Sequence, residues 1–427
     1  MSITRRHVLK GLGVGSIALA GGLAAPALWA QTPVDRPKGK RVVVIGGGLG
    51  GATAAAELRR LAPEVEVLVI EPAETFLSGA STLEYVFGAK TLEQAGRSYA
   101  GLAQQGVRMV RAEAKTVDPV QKVVGTTAGA FAYTQLILAS GIRLAPDEIP
   151  GLAEARGANL TPYDRGHLAE LKRRIEGFAG GTAVIGIPVG ALKCPPAPYE
   201  YALLLAGRIK QRKLKGRVVL IDAWPTPQPG GVADGFQAAI DSFGALIEYV
   251  PQGKVERVEA AGKKVRTADG DEFECDLLSL IPPNRAWGLV KDLGLNAEAD
   301  VFVDVEPLTQ RSRKFDTLYA VGDVARTPFG KNGGAAADTG TLCAQAIARA
   351  FGVPGVPSGP GRVRVACYPF VEPTRALAVE TGFTLTPKAG ADPVLDMKST
   401  PDAQPGAGNL AKRRAWEARA LKAAFGA

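Results

Sequence analysis

Histidine is almost missing from this chain of 427 residues: there are two, His7 and His167. Metal sites built on several histidines and Ser-His-Asp chemistry are thereby excluded. Cysteine is scarce as well, limited to Cys194, Cys275, Cys343 and Cys367. None belongs to a Cys-x-x-Cys-His string, so no haem is attached to this chain, and no metal set is expected. No base-reading or RNA-stacking module is visible, which sets nucleic acid aside as a partner. Beyond residue 30 no run is long and apolar enough to suggest a membrane span.

What is present reads as an ordinary globular chain, with 46% hydrophobic and 22% charged residues. Its length suits two or three domains. The net charge is +9. Three of those positives (Arg5, Arg6 and Lys10) lie in the first 30 residues, so the remainder carries about +6. That mild excess suits an acidic protein partner or an anionic substrate. Ser2 to Lys10 contain Arg5-Arg6, a Gly/Ala-rich apolar run follows, and Ala25 to Ala30 offer small residues for cleavage. This is the pattern of a twin-arginine signal over 1–30. A membrane anchor is the alternative, but the run is short and weakly apolar. The mature chain is therefore expected in the bacterial periplasm, exported already folded.

Arg41-Val-Val-Val-Ile45 predicts a short buried strand, and Ala52 to Arg60 a helix. Between them stands Gly46-Gly-Gly-Leu-Gly-Gly51. In this strand–turn–helix context Gly46 permits the tight turn, Gly48 lets a pyrophosphate approach, and Gly51 lets helix and strand pack. The strand Val65–Ile70 ends in Glu71, roughly 20 residues on, where an acid accepts from ribose hydroxyls. Strands are also expected over 107–112 and 136–141, with a small β excursion between them. Their ends, Ala112 and Gly141, join the candidate dinucleotide wall. Thr317 to Asp323 form an apolar strand ending in Gly322-Asp323, which suits an acid on the ribityl hydroxyls of FAD. Lys331-Asn-Gly333-Gly334 then opens an Ala-rich helix whose N-terminus suits the flavin ring edge that gains charge on reduction.

Residues 182–222 repeat strand, Gly186–Ala191 turn, helix and strand, with a damaged fingerprint. Pro188 stands where a glycine should be, and the turn runs into Cys194-Pro-Pro-Ala-Pro198. The reading is a dinucleotide-type fold that has lost its dinucleotide, which disfavours NADH as donor. Asp271–Leu280 reads as one strand, before Ile281-Pro-Pro-Asn-Arg285 returns the chain to the first unit. The tail is richer in Pro and Gly, strand-like at 362–367, and ends in a basic amphipathic helix over 412–425. Such a helix lies on a membrane surface or packs on its own protein, and packing is preferred.

The Cys194-Pro-Pro-Ala-Pro-Tyr-Glu200 string, with Gly46–Gly51, Ile281–Arg285, Val321-Gly-Asp323 and Ala366-Cys-Tyr368, resembles one family over the whole mature length. It is the flavoprotein subunit of flavocytochrome c sulfide dehydrogenase, within the glutathione-reductase-like and sulfide:quinone oxidoreductase superfamily. The resemblance implies an α/β fold of two Rossmann-like domains and a C-terminal α+β interface domain. Their expected limits are 38–150 with 286–355 for FAD, 151–285 for the degenerate NAD-type unit, and 356–427 for the tail.

It also implies a redox disulfide between Cys194 and Cys367. Hydrosulfide attacks Cys194 and leaves a persulfide. Cys367 is then the sulfur nearer the flavin, and Glu200 the acid/base. Electrons go through FAD to a c-type cytochrome, on a separate subunit or soluble. The substrate is sulfide or a persulfide. The family's flavin-linking cysteine is replaced by Gly79, so FAD is expected to be non-covalent. Two structural disulfides, or four buried thiols, is the competing reading of the cysteines. Cys275 and Cys343 fall in strand and helix patterns that suit the core. The rival functions are a sulfide:quinone oxidoreductase and a flavin-containing sulfur carrier.

Overall fold

The computed structural model describes residues 33–296 and 301–426. The export signal expected over 1–30 lies outside them. The first unit opens with β1 (Arg41–Ile45), α1 (Leu49–Leu61), β2 (Glu66–Ile70) and α2 (Gly79–Val86). It continues with β3 (Arg108–Val110) and β4 (Gln135–Leu138). The second unit holds β5 (Gly180–Ile187), α3 (Ala197–Gln211), β6 (Lys215–Asp222), β7 (Ile247–Pro251) and β8 (Leu277–Leu280). The chain then returns to the first unit as β9 (Leu318–Ala320) and α4 (Gly333–Ala350).

Both main sheets are parallel, in the orders β9-β4-β1-β2-β3 and β7-β6-β5-β8. Parallel strands are covered on both faces, and this is why β1 after Arg41 and the core of β6 are unbroken β-branched and aliphatic runs. Separate apolar clusters fill the two sides of each sheet. Helices α1 and α4 cross backbone to backbone. A Cβ at Gly340 would sit 2.4 Å from the carbonyl of Gly50, so glycine there lets both helix N-termini reach the same edge of the first sheet.

The strand expected over 271–280 is two strands in different sheets, Glu272–Glu274 and β8. Its apolar alternation runs across a break. Asp276 accepts the N–H of Thr182 at 2.9 Å and steers Leu277 into parallel pairing with β5.

The tail contains β10 (Gly361–Cys367), β11 (Phe370–Glu372), β12 (Arg375–Lys388), β13 (Ala391–Gly406) and α5 (Ala407–Phe425). The long β12–β13 hairpin was not expected from the sequence. Strand β13 is exposed along nearly all its length, so burial imposes no alternation to read. Its prolines are tolerated because it pairs only with β12. Strands β10 and β11 share a core with α3, which docks the end of β10 beside the cysteine loop.

Helix α5 packs on the protein itself. Phe425 stacks on Phe76 with centroids 4.8 Å apart and meets Tyr99 edge-on. Glu417, 8% exposed, accepts from Ser78, from Ser81 at 2.6 Å and from Lys90 at 3.2 Å. Burial alone would raise its pKa, but the two hydroxyls and Lys90 outweigh it and hold the carboxyl below its usual value. A depressed acid contributes stability above its unfolded pKa and loses it as pH falls through the folded one. Glu417→Gln is therefore expected to cost about 2 kcal/mol at pH 7. The difference from wild type should shrink below about pH 4.5 in an acid series of urea melts.

Candidate active site

A cavity of about 510 Å³ opens at the carboxyl edge of the first sheet, where parallel sheets place their ligands. The glycine turn, α2, the loop before α3, the N-terminus of α4, the end of β10 and helix α5 surround it. Gly46, Gly48, Glu71, Gly141, Gly322, Asp323, Lys331 and Gly333 line it, together with Cys194, Glu200 and Cys367. Of the residues singled out in the sequence, two stand off the wall. Gly51 lies behind it, where a Cβ would be 2.0 Å from the carbonyl of Gly46. Ala112 is 3% exposed, past the end of β3 and inside the core.

The wall fits FAD. A Cβ at Gly48 would meet nothing within 4 Å, so the backbone at this point of the cavity wall is open to the approach of a phosphate. Helix α1 starts without a side-chain cap, leaving its first N–H groups to an anion. Both oxygens of Glu71 are already anchored, accepting from the N–H groups of Gly47 and Ala73 at 2.8 Å each. Asp323 stands on the turn after β9. Asn332 caps α4 by accepting from Gly334 N–H at 2.7 Å. The glycine turn and Glu71 would hold the adenosine half, Asp323 the ribityl chain, and the α4 N-terminus the ring. Gly79 opens α2 at the cavity wall, and a Cβ there would also meet nothing within 4 Å.

Lys331 acts as a staple. Its ammonium donates to the carbonyl of Asp323 at 2.6 Å and sits 3.3 Å from the centre of the Phe302 ring. Its own carbonyl takes the N–H of Cys194 at 2.8 Å. The loop holding Cys194 is thus tied to the start of α4. Asn284, fully buried, accepts from Lys193 N–H at 2.8 Å, which gives the Ile281–Arg285 string a physical role. Tyr163 donates to the carbonyl of Cys194 at 2.9 Å. Cys194 itself has φ +50°, a left-handed conformation that these ties maintain.

Cys367 arrives from the other side, at the end of β10. Its sulfur accepts from Asn332 Nδ2 at 3.1 Å, so one asparagine both caps α4 and holds the second cysteine. Burial pushes the Cys194 thiol up to about 12, with the charge of Glu200 adding to it and Arg413 and Lys193 opposing. Cys367 is pushed up by burial, then by Cys194 and Glu200, against Arg413 and Asn332. The two sulfurs therefore share one electrostatic site. Glu200, 3% exposed, accepts from Arg413 at 2.8 Å and from Phe370 N–H at 2.9 Å. Burial raises its pKa, and Arg413 opposes that. Glu200 and Arg413 thus form a buried ion pair beside the cysteines. Cys275 and Cys343 belong to two apolar cores away from the cavity.

Sequence reasoning missed Arg413, Asn332, Tyr163 and Trp416, all on the wall. Asn332 had a signal, an N-cap residue before an Ala-rich helix. Arg413 was hidden among the basic residues of the tail helix.

In the second unit, nine residues separate β5 from α3 where a dinucleotide turn would run straight into its helix. The acid ending β6 is spent internally. Asp222, fully buried, accepts from Tyr199 at 2.6 Å, Tyr249 at 2.8 Å and Trp224 N–H at 2.9 Å. No carboxylate oxygen there faces a ribose. Among the described residues no group of side chains suits a metal ion, and no helix is long and apolar enough to cross a membrane.

Two Rossmann-like units, a dinucleotide cavity and two cysteines converging on it define an α/β disulfide-oxidoreductase type of flavoprotein. The chain matches the model of the pyridine nucleotide-disulphide oxidoreductases over residues 40–348 and belongs to that family. It is 25% identical to the mitochondrial sulfide:quinone oxidoreductase of Mus musculus over 315 residues, covering 70% of this chain and 69% of that one. It is 29% identical to the sulfide-quinone reductase of Aquifex aeolicus over 233 residues, 52% of each chain. The solved sulfide:quinone oxidoreductase of Aquifex aeolicus superposes with a TM-score of 0.72 at 20% identity, over 91% of this chain and 92% of that one. A NAD-dependent persulfide reductase from A. fulgidus gives 0.61 at 18% identity, over 90% and 77%.

Proposed function

We propose that this chain is a periplasmic, FAD-dependent sulfide dehydrogenase flavoprotein of the flavocytochrome c type, with electrons passing to a c-type cytochrome. The observation that carries this reading is that Cys194 and Cys367, free thiols from two different units, line one and the same cavity. The relatives named for sulfide oxidation support the substrate. Hydrosulfide attacks Cys194, the more exposed of the two residues. The structure holds both cysteines as free thiols; the step uses their oxidised, disulfide-bonded form, in which the S–S bond to Cys367 breaks as the new S–S bond forms and Cys367 leaves as a thiolate beside Asn332. FAD, when bound, supplies a two-electron sink that can be emptied one electron at a time. Glu200, held by Arg413, is the group placed to take the proton of the incoming sulfide. Gly79 carries no thiol, so the flavin is expected in the supernatant after acid precipitation.

The named relatives equally favour a quinone as acceptor. The packing of α5 onto the protein, rather than outward, supports the cytochrome. The test is turnover of the purified mature protein with sulfide and either oxidised cytochrome c or a short-chain ubiquinone. Cytochrome reduction upholds the proposal. Quinone reduction alone replaces it with the sulfide:quinone reading. Sulfur transfer with neither acceptor reduced replaces it with the carrier reading.

A further inference from the structure

Arginine is seldom fully buried, yet Arg413 of α5 is 7% exposed. Nη1 donates to Glu200 Oε1 at 2.8 Å and to the carbonyl of Tyr368, the neighbour of Cys367, at 2.7 Å. Nη2 donates to the carbonyl of Ala80 on α2, and the guanidinium lies 4.2 Å from the centre of the Phe370 ring. Glu200 follows Cys194 by six residues. One guanidinium therefore touches the segment of each cysteine and the wall of the first unit. We propose that Arg413 is the positioning residue of the cysteine pair, clamping both cysteine segments together and supplying the buried positive charge that faces Glu200 beside the two sulfurs.

This deepens the reading of the same site, and rests on that reading only for the chemical purpose of the cysteines. A clamp alone does not explain the residue. Among the described residues its Nε has no hydrogen-bond partner, and a buried ion pair is often no more stable than apolar side chains of the same volume. What an apolar residue cannot supply is charge. Glu200 disfavours the thiolates of both cysteines, and Arg413 favours both. The other titratable groups around them include Lys193 in the cysteine loop, Tyr163 against Cys194, Tyr368 against Cys367, and Glu84 of α2, which faces Glu200 and pairs with Lys90 at 2.8 Å. Glu200 and Arg413 thus act on the same sulfurs in opposite senses.

The test needs no sulfide. The FAD-loaded protein is reduced with a phosphine, kept anaerobic at pH 8.5, and alkylated with iodoacetamide. The rate at Cys194 and Cys367 is read by mass spectrometry, with FAD content and melting temperature as controls. Below the thiol pKa the rate follows the thiolate fraction, so a change of one pH unit is about tenfold. Arg413→Met is expected to slow alkylation about tenfold, and Glu200→Gln to speed it about tenfold. The double variant should fall between them. A clamp without an electrostatic role gives the reverse for Arg413→Met, because a loosened pocket admits reagent faster, and that result overturns the proposal, as does no change. If Arg413→Met alone fails to fold for want of a partner to Glu200, the double variant decides. A rate well below that of Glu200→Gln upholds the proposal, and a rate equal to or above it sinks it. The cytochrome assay tests the sulfide reading separately.

Discussion

Cys194→Ser and Cys367→Ser are each expected to abolish bleaching of the flavin by sulfide while keeping the flavin bound. Removing a reacting sulfur from a site that works as a unit costs on the order of a thousandfold or more in rate. Neither sulfur anchors the fold. Cys194 is held through its backbone by Lys331 and Tyr163, and serine at that position keeps both bonds. Cys367 contributes one weak acceptor, to Asn332. Flavin content should therefore stay near wild type, and anaerobic sulfide titration followed at the flavin's visible band isolates the chemistry. Cys275→Ser and Cys343→Ser serve as the contrast. They replace buried core thiols, so they should lower stability and leave the sulfide response in place. A variant lacking Cys194 that still bleaches at the wild-type rate would show that electrons reach the flavin without the cysteine pair.

The second large effect is expected in the glycine turn, where two nearby glycines should fail in different ways. Valine at Gly48 projects into open space, since nothing lies within 4 Å of its Cβ. The chain should fold with a melting temperature close to that of the apoprotein and be purified colourless, because the side chain occupies the place of a phosphate. Valine at Gly51 drives its Cβ to 2.0 Å from the Gly46 carbonyl and 3.1 Å from Val44. Here α1 can no longer close on β1, and insoluble protein is expected. The colour of soluble Gly48→Val and the yield of Gly51→Val are the two measurements. Yellow, FAD-replete Gly48→Val would remove the glycine turn from the cofactor site.

The parts legible in the sequence are those whose cause is local. The strand–turn–helix at Gly46–Gly51 needs only neighbouring residues to declare itself, and so does the damaged turn that leads to Cys194. The β12–β13 hairpin was illegible because its outer strand is exposed along nearly its whole length, so no periodicity was imposed on it. Arg413 was illegible for a different reason. Its partner Glu200 lies 213 residues away, and the helix that carries it looks from sequence like a basic surface helix.

By itself the sequence determined the two Rossmann-like units and the cavity-lining glycines and acids. These follow from backbone sterics and short-range spacing, which a linear chain displays directly. Only the tertiary structure decided that Asp222 is consumed by Tyr199 and Tyr249, that Lys331 faces carbonyls, and that α5 turns inward to hold Glu200. Those outcomes depend on which side chain meets which across two units and a tail. Buried polar groups must find partners wherever the fold brings them, and the linear chain does not show where that is.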